Sequence, residues 1–465
     1  MDRRVVNTME IDMVSPKKFR FWTGRILCLW ILALPVSAAD LPTAAATKHG
    51  FSEPRLERID DYMNGAVKRQ EMVGDLGIVA RHGKVVYNSW WGQSDREAGK
   101  SMQTDTIFRI YSMTKPIASV AVMMLYEEGH FDLNDPIGKY IPELADLKVA
   151  VSTNRGKTSA ESDGTVSRTS GEGDTTARGE LKAPLRQPTV RDLLKHTAGF
   201  SYGLFGNTEI DRLYRGAGLP CAHEDLQGFV AALGQLPLQY EPGSRWHYSV
   251  SVDVQGRLIE AITGMRFGAF LEERLFKPLG MNDTFFVIPE EKLPRLAQLY
   301  QPEGTPEGLM TYLAPARSND LEVAHISTSR NFVSGATFES GGGGLLSTAD
   351  DYMRFAQMLL NGGELAGVRI LGSKTVEFMS RDHLDAAPFG RPGVGFGLGF
   401  GVVLDVGATG ELGSDGEYNW GGAAGTRFWI DPKEDMIGVF MVQSRPHRTQ
   451  LASRFKTLVY QALED

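Results

Sequence analysis

Residues 108–129, FRIYSMTKPIASVAVMMLYEEG, place a serine and a lysine three positions apart, then a proline, then an almost wholly apolar run. Pro116 is typical of a first helical turn, whose N–H groups have no intrahelical acceptor to lose. The spacing puts Ser112 and Lys115 on one face of the helix that starts here. Because the following residues offer little polar surface, we expect this helix to be buried between layers.

A buried amine beside a hydroxyl can act as a base. Burial disfavours the charged ammonium, and the neutral amine can take the hydroxyl proton. We therefore predict that Lys115 activates Ser112 as a nucleophile. The pattern S-x-x-K recurs at residues 15–18 and 453–456, but only the copy at Ser112 lies in an apolar helix. We expect the copy at 453–456 to face water on an amphipathic terminal helix.

The composition is that of a folded, acidic protein. With 465 residues, 42% of them hydrophobic and 23% charged, the chain can bury a large core in one large domain or two interleaved domains. The formal net charge is -8, and no stripe of Lys and Arg interrupts it. Nucleic acid is therefore not expected as a partner.

The N-terminus has the order of a secretion signal. Basic KKFRFWTGR precedes apolar ILCLWILALP and then VSAAD, which contains small residues suited to cleavage near Ala38. We interpret residues 1–38 as a signal peptide that leaves no stable membrane anchor, because the apolar run is short for a bilayer span. The expected location is periplasmic or secreted. Cleavage would remove Cys28 and leave Cys221 without an intrachain disulfide partner.

Strand patterns occur at both ends of the chain. Residues 76–92, LGIVARHGKVVYNSWWG, form a hairpin pattern around His82-Gly83. Three further strand patterns lie within 396–444, and helical spacing follows over 451–462. The predicted fold is α/β of the α+β type, with one antiparallel sheet built from both chain ends and flanked by helices.

The predicted organisation has four parts after the signal peptide. Residues 45–150 form the first part of the α/β domain, with the nucleophile helix, and 340–465 form the second part. Residues 188–339 form a mainly helical lobe. Residues 151–187 lack aromatic side chains and are rich in Ser, Thr, Gly and charge, which predicts a flexible low-complexity insertion. A lid over the site is the alternative role for this insertion.

Five stretches, in order, carry a resemblance to a known family. They are DTIFRIYSMTKPIASVAVMMLYEEGHFDLNDPIGKYIPEL, TVRDLLKHTAGFSYG, YEPGSRWHYSVSVDVQGRLIE, SGGGGLLSTADDYMRFAQMLLNGG and WGGAAGTRFWIDP. The chain resembles the penicillin-recognising serine hydrolases, a superfamily that includes class C β-lactamases, DD-peptidases and family VIII carboxylesterases. The resemblance implies a β-lactamase/DD-peptidase-like fold.

The resemblance also implies roles for individual residues. Ser112 would form an acyl-enzyme, with Lys115 as its base partner. Tyr248, in WHYSV, would shuttle a proton between nucleophile and leaving group. The oxyanion hole would consist of the backbone N–H groups of Ser112 and Ala423. No cofactor is implied, and the histidines form no H-E-x-x-H or Cys/His pattern, so no metal is expected.

Two departures from the β-lactamase pattern bear on the substrate. Val250 stands where β-lactamases have an asparagine that can bind a substrate amide. Trp420, Gly421 and Gly422 replace a Lys-Thr-Gly motif whose cation binds a carboxylate. Both changes favour neutral esters, which makes a carboxylesterase the main prediction and a class C-like β-lactamase or DD-peptidase-type amide hydrolase the alternative. Arg427, on the neighbouring strand, could still bind a carboxylate.

Other patterns offer competing interpretations. GFSYG, residues 199–203, matches the nucleophile elbow of α/β-hydrolases, and Ser201, Asp405 and His447 follow the chain order of such a triad. The elbow needs a preceding strand, whereas a capping box at Thr189 predicts a helix there. DYMNG contains a second Y-x-N pattern at Tyr62, out of family order. A catalytically inactive binding protein of the same fold is a further alternative, although it would not need Ser112, Lys115 and Tyr248 together.

Overall fold

The computed structural model describes residues 41–151, 180–219, 222–305, 320–324, 338–384, 389–447 and 449–464. The predicted signal peptide, both cysteines and residues 152–179 of the predicted insertion lie outside these ranges. No helix in the described ranges is both long and apolar enough to cross a bilayer.

The described strands and α-helices are numbered here in chain order. The strands are β1 (Gly74–Arg81), β2 (Lys84–Asp95), β3 (Lys100–Ser101), β4 (Phe108–Arg109), β5 (Val149–Ala150), β6 (Leu181–Lys182), β7 (Tyr300–Pro302), β8 (Leu321–Val323), β9 (Leu346–Ser347), β10 (Glu364–Leu365), β11 (Val368–Arg369), β12 (Val394–Phe396), β13 (Gly401–Val403), β14 (Tyr418–Gly421), β15 (Arg427–Asp431) and β16 (Met436–Val442). The α-helices are α1 (Glu53–Lys68), α2 (Thr114–Glu127), α3 (Val190–Leu194), α4 (Glu209–Gly216), α5 (Leu226–Leu233), α6 (Ser251–Thr263), α7 (Phe267–Leu271), α8 (Lys277–Leu279), α9 (Ala349–Leu360), α10 (Ser373–Met379), α11 (Val406–Thr409) and α12 (Leu451–Tyr460).

One eight-stranded antiparallel sheet joins the two ends of the chain. Its order is β12-β13-β14-β15-β16-β1-β2-β3, so the N-terminal hairpin pairs directly with the last strand. His82 and Gly83 both have positive φ, the conformation that a two-residue hairpin turn requires. The predicted hairpin, the predicted terminal helix and the predicted sheet from both chain ends are confirmed.

Helices cover both faces of this sheet. On one face, Leu76 and Ile78 of β1 pack in the core that contains α2. On the other face, Val79 packs with apolar side chains of α1 and α12. Successive residues of a strand point to opposite faces, so the register of each strand decides which of its side chains can reach α2.

The helix predicted around the nucleophile is α2, and it is buried as expected. Every residue from Thr114 to Leu125 is buried. A 3₁₀ turn, Tyr111–Met113, precedes α2 and directly follows the short strand β4, which pairs with β9. Tyr111 has φ 44°, an uncommon conformation for an aromatic residue. A strained residue therefore comes immediately before the predicted nucleophile.

The middle of the chain supplies helices α3 to α8. Thr189 and Asp192 form the predicted capping box at the start of α3. Helix α6 begins just after Tyr248 and packs against α2. Strand β6 lies within the predicted insertion 151–187 and pairs with β5, which comes just before the insertion.

Candidate active site

Ser112, Lys115 and Tyr248 meet at the start of α2. Lys115 Nζ lies 3.2 Å from Ser112 Oγ, and Tyr248 Oη lies 2.8 Å from the same atom. Ser112 is the only residue between Tyr111 and Leu125 that is not buried, so its hydroxyl lies at the surface of an otherwise enclosed segment. Two groups that can exchange protons therefore contact one partly exposed hydroxyl.

The amine of Lys115 lies in an enclosed environment. The residue is 1% exposed, and Nζ donates a hydrogen bond to the Gly342 carbonyl at 2.5 Å. Nζ also lies 4.5 Å from the ring centre of Tyr248 and 5.3 Å from that of Tyr202. The Gly342 carbonyl and the Ser112 hydroxyl both accept hydrogen bonds from the amine. These contacts fix the direction of the amine toward Ser112.

Aromatic rings surround Tyr248 on several sides. The Trp246 ring stacks at 5.9 Å with an interplanar angle of 16°, and the Trp420 ring lies 5.7 Å away. His196 lies 4.9 Å from Tyr248. Burial, with a smaller contribution from Lys115, holds the pKa of His196 well below its usual range. His196 is therefore a neutral packing partner for Tyr248.

The turn after β14 lies against the start of the nucleophile helix. The Gly422 N–H donates to the Thr426 carbonyl at 2.7 Å, and Ala423 and Ala424 pack with Tyr111. Ser112 is the second residue of its 3₁₀ turn, a position whose N–H has no intrahelical acceptor. The two backbone groups predicted for the oxyanion hole therefore belong to neighbouring segments.

The other predicted pocket residues have different surroundings. Trp420 and Gly421 end β14, and Trp420 packs on the sheet face that carries α2. Gly422 lies so close to Ile110 that a Cβ would overlap the Ile110 carbonyl. Val250 is fully buried just before α6 and offers no surface to a ligand.

Arg427 does not face the site. Its guanidinium pairs with Glu411 at 2.8 Å and donates to Ser453 of α12 at 3.0 Å. Helix α12 covers the sheet face opposite α2. Burial alone would raise the pKa of Glu411, but Arg427 and neighbouring groups lower it to about 2. The prediction that Arg427 could bind a substrate carboxylate conflicts with this placement, because strand register directs its side chain to the far face.

The residues of the competing sequence patterns make local contacts elsewhere in the structure. Ser201 is 1% exposed, and its Oγ donates to Asp211 at 2.5 Å. Asp405 caps α11, and the His447 ring contacts Thr449. Ser201, Asp405 and His447 thus form no triad. Tyr62 lies on α1 beside Arg69.

The S-x-x-K copy on α12 differs from expectation. Lys456 is buried and pairs with the Glu417 carboxylate at 2.7 Å. The expectation that this copy faces water is wrong. Glu417, the residue just before β14, is itself buried and supplies the ionic partner that a buried lysine needs.

Three residues near Lys115 were not predicted as site residues: Tyr202, Asp253 and Gly342. Tyr202 lies inside the GFSYG pattern, and Gly342 lies inside SGGGG. Both stretches stand out in the sequence, the first as a G-x-S-x-G pattern and the second as a run of glycines. Neither pattern predicted a contact with Lys115. Among the described residues, no three His, Cys, Asp or Glu side chains cluster closely enough to hold a metal ion.

Comparisons with known proteins agree with this fold. Residues 59–461 match the Beta-lactamase family. Protein Rv1367c of Mycobacterium tuberculosis is 34% identical over 386 residues, which are 80% of this chain and 86% of that protein. Esterase EstB of Burkholderia gladioli is 31% identical over 410 residues, covering 85% and 92% of the two chains. The solved structure of EstCE1, titled a hydrolase with promiscuous acyltransferase activity, has a TM-score of 0.69 at 24% identity and covers 88% of this chain and 99% of its own. The chain therefore belongs to the beta-lactamase family and is a serine hydrolase.

Proposed function

We propose that this serine hydrolase cleaves neutral carboxylic esters through an acyl-enzyme on Ser112. The observation that carries the proposal is the contact of one hydroxyl with two proton-transfer groups, Lys115 at 3.2 Å and Tyr248 at 2.8 Å. Catalytic nucleophiles need a base within hydrogen-bond reach, and a further group that directs that base. The carbonyl of Gly342 directs the amine here.

The proposed reaction has two halves. The Ser112 proton passes to the Lys115 and Tyr248 pair while Oγ bonds to the ester carbonyl carbon. The carbonyl oxygen becomes an oxyanion near the N–H groups of Ser112 and Ala423. Collapse of this tetrahedral intermediate breaks the bond between the carbonyl carbon and the alcohol oxygen. The alcohol oxygen receives the proton through Tyr248. Water then attacks the acyl-enzyme carbonyl and gives a proton to the Lys115 and Tyr248 pair. That proton returns to Ser112 Oγ as the acid is released.

Three features favour esters over anionic amides. Trp420 supplies an aromatic surface where a cation is typical of carboxylate-binding relatives, and Arg427 is engaged with Glu411 on the other face. Esterase EstB, 31% identical, carries the proposed activity in its name. One cation does lie near the nucleophile, because Arg445 is 5.2 Å from the ring centre of Tyr111, the residue before Ser112. A cation there could bind a substrate carboxylate, so hydrolysis of an anionic β-lactam or peptide is the alternative to be tested.

The test compares substrates and nucleophile variants. We expect higher kcat/KM for p-nitrophenyl butyrate than for nitrocefin, and fluorophosphonate labelling that is lost in Ser112→Ala. Ser201→Ala, the matched control in the competing pattern, is expected to keep its labelling. A preference for nitrocefin would contradict the ester proposal. Labelling that depends on Ser201 would contradict the nucleophile, and a wild-type protein that does not label would favour a binding protein.

A further inference from the structure

Asp253 is a fully buried carboxylate five residues after Tyr248. It lies in the first turn of α6 and is 0% exposed. Its Oδ1 accepts two hydrogen bonds, from Ser340 Oγ at 2.5 Å and from the Gly342 N–H at 3.0 Å. Gly342 in turn presents its carbonyl to Lys115 Nζ at 2.5 Å. Asp253 thus reaches Lys115 through a single intervening residue.

Gly342 is held tightly between its neighbours. A Cβ at this position would lie 2.6 Å from Asp253 Oδ2 and 2.8 Å from Tyr202 Oη. Distances that short do not occur for real side chains. The close approach of Asp253 on one side and Tyr202 on the other leaves the Gly342 backbone little freedom to turn its carbonyl away from Lys115.

Folding alone does not account for a carboxylate at this position. Asp253 Oδ2 has no hydrogen-bond partner within the described ranges. Burying an incompletely satisfied carboxylate costs stability. A residue that costs stability while contacting the support of a reactive amine suggests a functional reason for its presence.

We propose that Asp253 is a positioning residue, which fixes Gly342 so that its carbonyl aims Lys115 at Ser112. The inference rests on the proposed function, because it assumes that Lys115 exchanges a proton with Ser112. Groups in contact with the amine include the Ser112 hydroxyl, the Gly342 carbonyl and the rings of Tyr202 and Tyr248. Asp253 acts on the amine through the Gly342 backbone.

The experiment measures the rate of fluorophosphonate labelling and, separately, kcat and KM for p-nitrophenyl butyrate. Asp253→Ala is expected to lower the labelling rate and kcat by about 10²-fold, the effect of misplacing a catalytic group by about 1 Å, while KM changes little. Asp253→Asn is expected to recover most of that loss, because its amide oxygen can accept the same two hydrogen bonds. A residue that only stabilises the fold would change the melting temperature of these variants without lowering kcat or the labelling rate of the folded protein.

Asp431 provides the matched control. It is also 0% exposed, and it accepts hydrogen bonds from the backbone N–H groups of Lys433 and Glu434 in the turn between β15 and β16. That turn is at the end of β15 remote from the site. Asp431→Ala is expected to lower the melting temperature without changing the labelling rate.

A double-mutant cycle tests whether Asp253 acts through Gly342. Gly342→Ala should slow labelling by itself, and the loss in Gly342→Ala with Asp253→Ala should be smaller than the product of the two single losses. Independent, multiplicative losses would overturn the inference. So would wild-type labelling in folded Asp253→Ala, or equal losses in Asp253→Asn and Asp253→Ala.

The outcome is separable from that of the proposed function. If Asp253→Ala does not fold, Asp253→Asn and Gly342→Ala still decide the matter: a wild-type labelling rate in folded Gly342→Ala overturns the inference. A wild-type protein that labels at Ser112 but cleaves no ester would contradict the ester proposal alone, since the labelling series still measures the position of Lys115.

Discussion

Tyr248 contributes to the site in two ways. Its ring lies against Lys115, Trp246 and Trp420, whereas its hydroxyl contacts Ser112. Tyr248→Phe keeps the ring and removes the hydroxyl, so we expect a native melting temperature and a loss of about 10² to 10⁴ in kcat for p-nitrophenyl butyrate, the usual effect of removing a proton-transfer group.

The control is Tyr62→Phe, which alters the other Y-x-N pattern. Tyr62 lies on α1, which covers the sheet face opposite α2. This variant is expected to hydrolyse the ester at the wild-type rate. An activity of Tyr248→Phe within twofold of wild type would remove Tyr248 from the proposed proton path.

For single residues, the sequence predicted contacts between neighbours in the chain but not contacts with distant residues. Ser112 lies in the 3₁₀ turn that leads into α2, three residues before Lys115, so their local spacing was enough to bring them together. Lys456 has the same spacing from Ser453, yet its surroundings depend on Glu417, which is 39 residues away. A short motif does not contain that partner, and for this reason the burial of Lys456 was not predicted.

At the level of elements, the turn from Gly422 to Thr426 connects the sheet with the nucleophile helix. A Cβ at Gly422 would overlap the Ile110 carbonyl and Thr426 Oγ1. Gly422→Ala should therefore displace the turn and, with it, the Ala423 N–H. Removing one oxyanion donor typically costs 10²- to 10³-fold in kcat, and we expect a loss of about 10-fold or more for a displaced donor, measured as kcat for p-nitrophenyl butyrate.

Gly216→Ala is the matched glycine control. Gly216 is the last residue of α4, and nothing lies within 4 Å of a Cβ placed there. Alanine suits a helix better than glycine, so this variant should be as stable as wild type or slightly more stable, with unchanged kcat. If Gly422→Ala kept full activity, the turn would not position an oxyanion donor.

The elements themselves were predictable to different degrees. The hairpin around His82-Gly83 and helix α12 follow from nearby residues, and both are present. The face that Arg427 occupies depends on its pairing with Phe440 and Gly421 across two neighbouring strands. Register between strands is a property of the assembled sheet. The sequence therefore predicted the strand of Arg427 but not the direction of its side chain.

In the whole molecule, the site draws on three distant parts of the chain. Lys115 and its acceptor Gly342 are 227 residues apart, and Ser112 and Tyr248 are 136 residues apart. The helix α6 that carries Asp253 packs on α2, while β9, just after Gly342, pairs with β4, just before Ser112. Contacts between elements that are far apart in the sequence thus hold the reactive groups in place. The order of the motifs predicted which segments meet, but it did not predict that Tyr202 and Asp253 belong to the site.

The sheet face opposite the site carries a fully buried acid, Asp75 of β1. It is 0% exposed, neither oxygen has a hydrogen-bond partner within the described residues, and burial raises its pKa well above the usual 3.8. The folded state therefore keeps the proton that the unfolded chain releases above about pH 4. From that pH upward, until the folded state also ionises, Asp75 should lower the free energy of unfolding by about 1.4 kcal/mol per pH unit.

Asp75→Asn removes this titration and should be more stable than wild type at pH 7, with a stability difference that grows as the pH rises from about 4. Chemical denaturation of both proteins between pH 4 and pH 8 measures the difference.

Asp225→Asn, which changes an exposed helix-capping carboxylate to another good capping residue, is the control for a generic charge effect. Hydrolysis of p-nitrophenyl butyrate should be unchanged in both variants, because α2 and the site lie across the sheet from Asp75. A stability difference between wild type and Asp75→Asn that does not vary with pH would mean that Asp75 is ionised in the folded protein.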